Sequence, residues 1–294
     1  MIPHKIYRRP RLRDLAELVR APAALSVPGD VLAGAVASGR PLGPRTLGTM
    51  GSSVCLYWAG MALNDYADAT LDAVERPGRP IPSGRIPRRT AFTTATALTA
   101  AGLGLAALSG GRRALRTAVP LAGLVWAYDL VLKNTPAGPA AMAGTRVLDV
   151  LAGARTTAPA LPAALVVGLH TYTVTALSRH ETTGAPTAVP AASLAASTVV
   201  GLSAAATART AGRTSRLGAA AGAAGYLVAF GSAQVRALGE PSAPNIQRAV
   251  GVGILGLLPL QAALTAGAGA PRAAALLAAA HPLARRLARK VSPT

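Results

Sequence analysis

Long apolar segments recur along the whole chain, each about 17–20 residues long, the length that an α-helix needs to cross a hydrocarbon core. Few charges interrupt them, and a helix on the surface of a soluble protein would keep a polar face. A helix satisfies its own backbone hydrogen bonds in lipid. The pattern therefore predicts an all-α, polytopic membrane protein. The segments lie near 23–39, 46–64, 90–109, 115–132, 139–155, 160–178, 190–208, 217–235 and 249–267, with a shorter one near 273–284.

The short segment decides between nine and ten crossings. With nine, the Lys and Arg residues divide almost evenly between the two sides. With ten, the tail cluster joins the N-terminal side, and most basic residues lie on one side, as the positive-inside rule prefers. The N-terminus lacks the apolar core of a signal peptide and predicts a cytoplasmic tail with a short surface helix. The tail cluster comprises Arg285, Arg286, Arg289 and Lys290.

The net charge of +19 raises the possibility of nucleic-acid binding. The basic residues, however, stand in short loops between apolar segments, where membrane topology accounts for them. We therefore expect membrane lipid and no nucleic acid as a partner. The single cysteine, Cys55, excludes an intramolecular disulfide.

The second apolar segment ends in a run of carboxylates. Asn64, Asp68 and Asp72 follow at intervals of four residues, and Asp65 precedes Asp72 by seven, so a continuous helix would present all four as one polar stripe. Neighbouring carboxylates repel each other near hydrocarbon unless a cation lies between them. Oxygen ligands without histidine or cysteine suit Mg²⁺. The stripe predicts a magnesium site.

Three arginines in a proline-rich loop follow the stripe: Arg76, Arg79 and Arg85. Guanidinium groups match phosphate oxygens bidentately. Together the two features predict a site for a magnesium-bound diphosphate whose tail lies in the bilayer. The plain alternative is a solvated loop whose acids and arginines pair in water. Against it, the stripe begins inside an apolar segment, where charge is costly.

The stripe and the loop "RPGRPIPSGR" together resemble the first aspartate-rich motif of the UbiA superfamily of intramembrane prenyltransferases. Further stretches are similar in order and place. "LVRAPAALSVPGDVLAG" (18–34) resembles the first helix of the family, "YDLVLKNTPAG" (128–138) its tyrosine-to-lysine stretch, and "GTRVLDVLAG" (144–153) its fifth helix. The likeness covers most of the chain, and the first motif is its specific part.

The resemblance implies a single domain over residues 1–294, with nine helices around a central, lipid-open cavity. It also implies Mg²⁺-dependent transfer of a prenyl group from a prenyl diphosphate to a small-molecule acceptor, often aromatic in this family. The motif loops would cap the cavity on the cytoplasmic side. We expect an integral protein of a bacterial plasma membrane.

The second aspartate-rich motif of the family is altered here. Its place reads "YTVTALSRHETTG" (172–184), in which Glu181 is the only carboxylate and Arg179 precedes it by two. This pattern is similar to the EboC-like branch of the superfamily. A second magnesium site of the usual kind is in doubt, and Arg179 could meet the diphosphate directly. An ordinary loop or helix cap is the plain alternative for this stretch.

The site residues follow from the motifs and the resemblance. The expected mechanism is dissociative: the diphosphate leaves, and a dry apolar cavity protects the allylic cation. The expected metal ligands are Asn64, Asp65, Asp68, Asp72 and Glu181; the expected catalytic residues are Asp68, Asp72, Arg179 and Glu181; and the expected diphosphate-binding residues are Arg76, Arg79, Arg85, Lys133 and Arg146.

The sequence leaves the proton acceptor open. The candidates are Asp129, Asp149, His170 and Tyr172. Arg146 and Asp149 are spaced to pair with each other, and a histidine on an apolar helix is more often a hydrogen-bonded core residue than a base. Asp30 either flanks the cavity or marks a helix break beside Pro28.

Two other functions use the same features. A terpene cyclase on the same scaffold would ionise the same diphosphate without an acceptor. A transporter would also carry intramembrane charges, although transport sites lie near the bilayer midplane. The sequence does not identify the acceptor, the prenyl chain length or the oligomeric state.

Overall fold

The computed structural model describes residues 11–208 and 211–288, and within these ranges the chain is all-α, as predicted. A 3₁₀ turn (Ala21–Ser26) leads into α2, and π-helical turns occupy Tyr128–Leu132 and Leu227–Gly231. The α-helices are α1 (Leu12–Leu18), α2 (Val27–Ala37), α3 (Pro44–Ala67), α4 (Ala69–Glu75), α5 (Arg88–Ala127), α6 (Gly138–Gly153), α7 (Thr157–Ser178), α8 (Ala188–Ala206), α9 (Arg213–Tyr226), α10 (Ser232–Gly239), α11 (Ala243–Gly267) and α12 (Pro271–Ala288).

Four helical runs are long and apolar enough to cross a membrane, judged over the described part of the chain: Arg88–Leu132, Thr157–Ser178, Ala188–Ala206 and Ala243–Gly267. The first run spans 45 residues but is two helices, because Gly111 breaks it with φ 59° and ψ −148°. Only glycine adopts that backbone conformation readily. The break separates the predicted segments 90–109 and 115–132.

The loops gather at two ends of the bundle. The loops 76–87, 133–137 and 179–187 form what we call the motif end; there, Arg179 Nη1 donates to the Thr135 carbonyl at 2.9 Å. The distal end carries the loops 38–43 and 154–156, which Arg40 ties together by donating to the Gly153 carbonyl at 3.1 Å. The helices between the two ends enclose a cavity.

Small residues let α2 and α6 approach closely. A β-carbon on Gly34 would collide with the backbone of Val150, and one on Gly153 would collide with the backbone of Val31. Such contacts are typical of helix packing in membranes. The two helices therefore touch backbone to backbone toward the distal end.

The last helix runs back along α11. Ala274 of α12 shares a buried cluster with Ala262 and Ala266 of α11, while His281 lies against the backbone of Leu255. The later residues of α12 thus meet earlier residues of α11, so the two helices are antiparallel. The number of crossings, nine or ten, stays a prediction.

Candidate active site

A cavity of about 520 Å³ opens between α2, α3, α6, α7 and α11. Its walls are mainly apolar. Its polar lining is concentrated at the motif end and, separately, at the inner end. The charged or amide residues that line it are Arg20, Asn64, Asp68, Arg76, Arg79, Asp129, Lys133, Asn134, Arg146, Asp149, Arg179 and Glu181.

Asp68 lies where the second long helix breaks. α3 ends at Ala67, Asp68 has φ −88° and ψ 6°, and α4 starts at the next residue. Asn64 Nδ2 donates to Asp68 Oδ2 at 3.2 Å and to Asp129 Oδ1 at 3.3 Å. Lys133 Nζ donates to Asp68 Oδ1. We call Asn64, Asp68, Asp129 and Lys133 the cavity cluster.

Asp129 and Lys133 come from the π-helical turn and the residue after it. Asp129 is buried, with 4% of its surface exposed. π-Helical turns are rare and frequently occur at functional sites. The spacing Asp129–Lys133 in "YDLVLK" was the available signal, but the sequence argument named Asp129 only among candidate proton acceptors.

Asp65 and Asp72 face another direction. Arg79 Nη1 lies 3.3 Å from Asp65 Oδ1 and 2.7 Å from Asp72 Oδ2, and both carboxylates are buried. Neither is among the residues that line the cavity, whereas Arg79 is. We call Asp65, Asp72 and Arg79 the loop cluster. The predicted stripe is therefore divided between two environments, because the helix does not continue through Asp68.

Arg20 joins the two clusters. Its Nη2 lies 3.4 Å from Asn64 Oδ1 and 3.2 Å from Asp65 Oδ1. Its φ of 46° places it in the left-handed region, which is uncommon for a residue other than glycine. Sequence reasoning missed this residue, since it counted Arg20 only as a charge of the N-terminal tail.

Arg85 lies outside the cavity. It binds α1 instead, with Nη1 3.0 Å from Asp14 Oδ1 and 2.6 Å from Glu17 Oε2. The hydrogen bond from Arg85 lowers the pKa of Asp14. Arg85 therefore attaches the surface helix to the loop and does not face the cavity that the other predicted residues line.

The altered second motif does line the cavity. Arg179 Nη1 donates a hydrogen bond to the Thr135 carbonyl. Glu181 Oε1 is buried without a hydrogen-bond partner. Burial raises the pKa of Glu181, and the nearby positive charge of Arg76 partly offsets that rise. An orphaned carboxylate oxygen at this position is available to a ligand.

Arg146 lines the cavity away from the motif end. Its Nη2 lies 2.8 Å from Asp30 Oδ2, so its ion-pair partner is Asp30. His170 is buried, and its Nδ1 lies 3.0 Å from Tyr226 Oη. That geometry suits a hydrogen-bonded core histidine.

The residues present fit a hard divalent cation that is shared with a phosphate. Around the described part of the chain, no three His, Cys, Asp or Glu side chains are grouped closely enough to hold an ion by themselves. Mg²⁺, however, is commonly bound by one or two carboxylates plus substrate phosphates and waters. The oxygens of Asn64 and Asp68 and the orphaned Oε1 of Glu181 provide such a set on the cavity wall.

The sequence pattern, the fold and this site define a family. A sequence model described as the UbiA prenyltransferase family matches residues 27–289, nearly the whole chain. The protein belongs to the UbiA prenyltransferase family, and it is an integral membrane protein with an all-helical fold.

Relatives in two archaea carry the name digeranylgeranylglyceryl phosphate synthase. The protein from Methanopyrus kandleri is 40% identical over 131 residues, covering 42% of this chain and 46% of the relative. The one from Natronomonas pharaonis is 35% identical over 127 residues, covering 43% and 46%. The alignments thus span about half the length of these curated relatives.

Solved structures agree with the fold. A digeranylgeranylglyceryl phosphate synthase structure matches with a TM-score of 0.65 at 18% identity, covering 87% of this chain and 98% of the other. A UbiA homologue from Archaeoglobus fulgidus bound to GPP and Mg²⁺ matches with a TM-score of 0.57 at 14% identity, covering 81% and 99%. At these identities the match supports the fold alone.

Proposed function

We propose that this protein transfers a prenyl group from a prenyl diphosphate to a hydroxyl-bearing acceptor within the membrane, with Mg²⁺ as cofactor. One observation carries the proposal. The cavity cluster and Glu181 turn oxygen ligands toward one end of an apolar cavity, and arginines surround the same end. An amphipathic substrate with a diphosphate head and a hydrocarbon tail matches that distribution of polarity.

The basic residues would bind the leaving group. Lys133 and Arg179 line the cavity wall, and Arg76 and Arg79 line its rim. Their fixed positive charges stabilise the diphosphate as its C–O bond breaks, when negative charge accumulates on the oxygens. Guanidinium groups suit this task because they bind phosphate oxygens in a fixed fork.

Asn64, Asp68 and Glu181 would hold Mg²⁺ together with the diphosphate. The ion supplies charge neutralisation of the leaving group. Lys133 Nζ donates to Asp68 Oδ1 in this structure and would add a positive charge beside the diphosphate.

The apolar walls would protect the allylic cation. Leu56, Leu121, Val125, Val250 and Leu257 are among the residues that line the cavity. Water would quench the cation, and a dry cavity prevents that side reaction. The acceptor then attacks the cation with its oxygen and releases a proton.

The names of the relatives support an alcohol as the acceptor. By its name, a digeranylgeranylglyceryl phosphate synthase makes a glyceryl phosphate that carries two geranylgeranyl groups. We extend this to the present chain as a proposal, in preference to the aromatic acceptors that the family resemblance first suggested.

Purified protein in lipid nanodiscs, supplied with radiolabelled geranylgeranyl diphosphate, geranylgeranylglyceryl phosphate and Mg²⁺, tests the proposal. We expect a labelled diether product that requires both the acceptor and Mg²⁺, and that EDTA abolishes. Arg116→Ala, an exposed arginine outside the cavity, is a matched control that should leave turnover unchanged. Absence of labelled product with this acceptor and with aromatic acceptors would contradict transferase activity.

The same assay without acceptor separates the transferase from a terpene cyclase. Release of a cyclic hydrocarbon in that arm would favour the cyclase, since the substrate's own double bond would then trap the cation. We expect only slow hydrolysis to the prenyl alcohol.

The motif end would face the cytoplasm. The basis is the distribution of Lys and Arg residues under ten crossings, together with the antiparallel packing of α12 on α11. A single cysteine introduced at exposed Ser83 in a Cys55→Ser background tests this. Labelling by a membrane-impermeant maleimide in spheroplasts would show the opposite orientation. Bacterial origin stays a prediction, because the reported relatives are archaeal.

A further inference from the structure

A second polar group lies at the inner end of the cavity. Ser53 on α3 is eleven residues before Asn64, and Asp149 on α6 is ten residues after Pro139. At about 1.5 Å per helical residue, these side chains lie roughly 15 Å deeper than the motif end. Both residues line the cavity. Polar groups at that depth are expensive and require an explanation.

Part of this group is an ion pair between two largely buried side chains. Asp30 is fully buried; its Oδ2 lies 2.8 Å from Arg146 Nη2, and its Oδ1 accepts a hydrogen bond from Gln261 Nε2 at 2.6 Å. The same amide nitrogen donates to the Ser26 carbonyl at 2.8 Å. These contacts connect α2, α6 and α11, and a structural role accounts for them.

The buried carboxylate of Asp149 has no such structural explanation. Its side chain is buried, with 4% exposed, yet its Oδ1 has no hydrogen-bond partner. The hydroxyl of Ser53 lies against the same carboxyl group, and Arg146 is its basic neighbour. Asp30 already engages that guanidinium, so two carboxylates share one cation. An acceptor oxygen is therefore left over on the cavity wall, and buried polar atoms are almost always paired.

The surroundings of Asp149 restrict what could pair with it. A phosphate or carboxylate would be repelled, since the two aspartates outnumber the single arginine. A bare hydrocarbon would leave the oxygen unpaired. Two other titratable groups line this region: His170 turns its Nδ1 to Tyr226, and Tyr57 does not pair with Asp149 Oδ1, which has no partner. A hydrogen-bond donor without negative charge remains as the fitting partner.

We propose that the inner end of the cavity is a hydroxyl-binding subsite, in which Asp149 Oδ1 accepts a hydrogen bond from an alcohol carried on an apolar chain. The ligand class is an isoprenoid or lipid alcohol whose hydrocarbon part fills the cavity. The inference rests on the proposed function, which places a diphosphate at the motif end of the cavity. The hydroxyl would then lie at the opposite, inner end.

Two unreactive probes test the subsite in nanodisc-embedded protein: geranyl S-thiolodiphosphate and its ω-hydroxylated analogue. Both carry the same head, and they differ by one hydroxyl at the tail. We expect the hydroxylated probe to bind about 10-fold more tightly, because a hydrogen bond to a charged acceptor is stronger than a neutral one. Equal affinity of the two probes, or weaker binding of the hydroxylated probe, together with no preference for geraniol over its hydrocarbon analogue, would overturn the proposal.

A second arm identifies the source of the hydroxyl. Protein saturated with the short dimethylallyl S-thiolodiphosphate is titrated with geraniol or with the corresponding hydrocarbon, 2,6-dimethyl-2,6-octadiene. Preference for geraniol assigns the subsite to a separate acceptor molecule. If the hydroxylated diphosphate probe is preferred but geraniol is not, the subsite is assigned to a hydroxylated prenyl chain.

Three variants complete the test. Asp149→Leu, of similar size, should remove the preference while the parent probe still binds, and Asp149→Asn should reduce the preference at least threefold if the leucine variant does not fold. Thr173→Val, a buried polar residue of α7 outside the cavity lining, should leave the preference intact. A preference that survives in both Asp149 variants would overturn the proposal. Failure of the parent probe to bind with Mg²⁺ would instead contradict the proposed function.

Discussion

Asp68 of the cavity cluster and Asp65 and Asp72 of the loop cluster come from the same short stretch, but these carboxylates pair with different basic residues. Asp65 and Asp72 are buried against Arg79, and neither carboxylate lines the cavity. Asp68 lies between them in the sequence, pairs with Lys133, and lines the cavity together with that lysine. The comparison shows that adjacent acids of one motif can separate into a group that lines the cavity and a group that pairs outside it.

The largest effect is expected at Asp68. Replacement of Asp68 with Ala should reduce turnover of radiolabelled prenyl diphosphate roughly 100-fold or more, since a group that stabilises the leaving charge is lost. The folded protein should remain, because Asp68 is partly exposed. Glu240→Ala, which removes an exposed carboxylate outside the cavity lining, is the control and should stay within about twofold. Full activity of the Asp68 variant would remove the distinction between the clusters.

Replacement of Asp72 should affect stability more than it affects turnover. Asp72→Ala leaves Arg79 without its closest partner in a largely buried setting, and we expect the free energy of unfolding to fall by about 3 kcal/mol. Unfolding in mixed detergent micelles measures this, with the exposed Glu75→Ala on the same short helix as control. If Asp72→Ala instead keeps its stability and loses apparent Mg²⁺ affinity, Asp72 belongs to the metal site, as the continuous stripe first suggested.

Glu181 should give the cavity a pH dependence. Burial raises the pKa of this carboxyl group above its usual value of 4.5. Metal binding requires the ionised form, so apparent Mg²⁺ affinity should rise with pH until the pH passes the raised pKa. Because folding favours the protonated acid, the contribution of Glu181 to stability declines over the same interval.

Isothermal titration of Mg²⁺ in the presence of geranyl S-thiolodiphosphate across pH 5–8 measures that dependence. Glu181→Gln should weaken Mg²⁺ binding by about 10-fold and flatten the profile in the acidic range. The control is Glu17→Gln, whose carboxylate pairs with Arg85 away from the cavity. An unchanged profile in Glu181→Gln would exclude this residue from the metal site.

The smallest effect is expected at Arg85. Arg85 and its partner Glu17 are about one-third exposed, so Arg85→Ala should cost about 1 kcal/mol or less and change turnover less than threefold. Thermal unfolding and the standard transfer assay check both numbers, with the exposed Arg89→Ala as reference. A large loss of diphosphate affinity would return Arg85 to the binding site that the sequence predicted.

The sequence predicts the helices well because apolar length is a local property. The apolar segments near 46–64 and 160–178, for example, coincide closely with α3 and α7. The inward direction of each acid was harder to predict. The predicted polar stripe assumes a straight helix. No residue pattern around Asp68 predicts that the helix breaks there.

Ion pairs between residues distant in sequence account for the remaining differences between the predicted and the observed arrangement of the site. Arg20, Arg85 and Arg146 each find a carboxylate far away in sequence, at Asp65, Glu17 and Asp30. Periodicity carries no information about such partners. It therefore left Arg20 out of the site and included Arg85.

The backbone contact of α2 and α6 at Gly34 and Gly153 has a mechanical consequence. A joint without intervening side chains resists separation at that level of the bilayer, since packed backbones have no rotamers that could yield. If α2 and α6 move apart to admit a lipid, we expect them to pivot about this distal contact. In such a pivot, the displacement of each helix increases with distance from the distal contact. The gap between α2 and α6 would therefore widen most near Arg20.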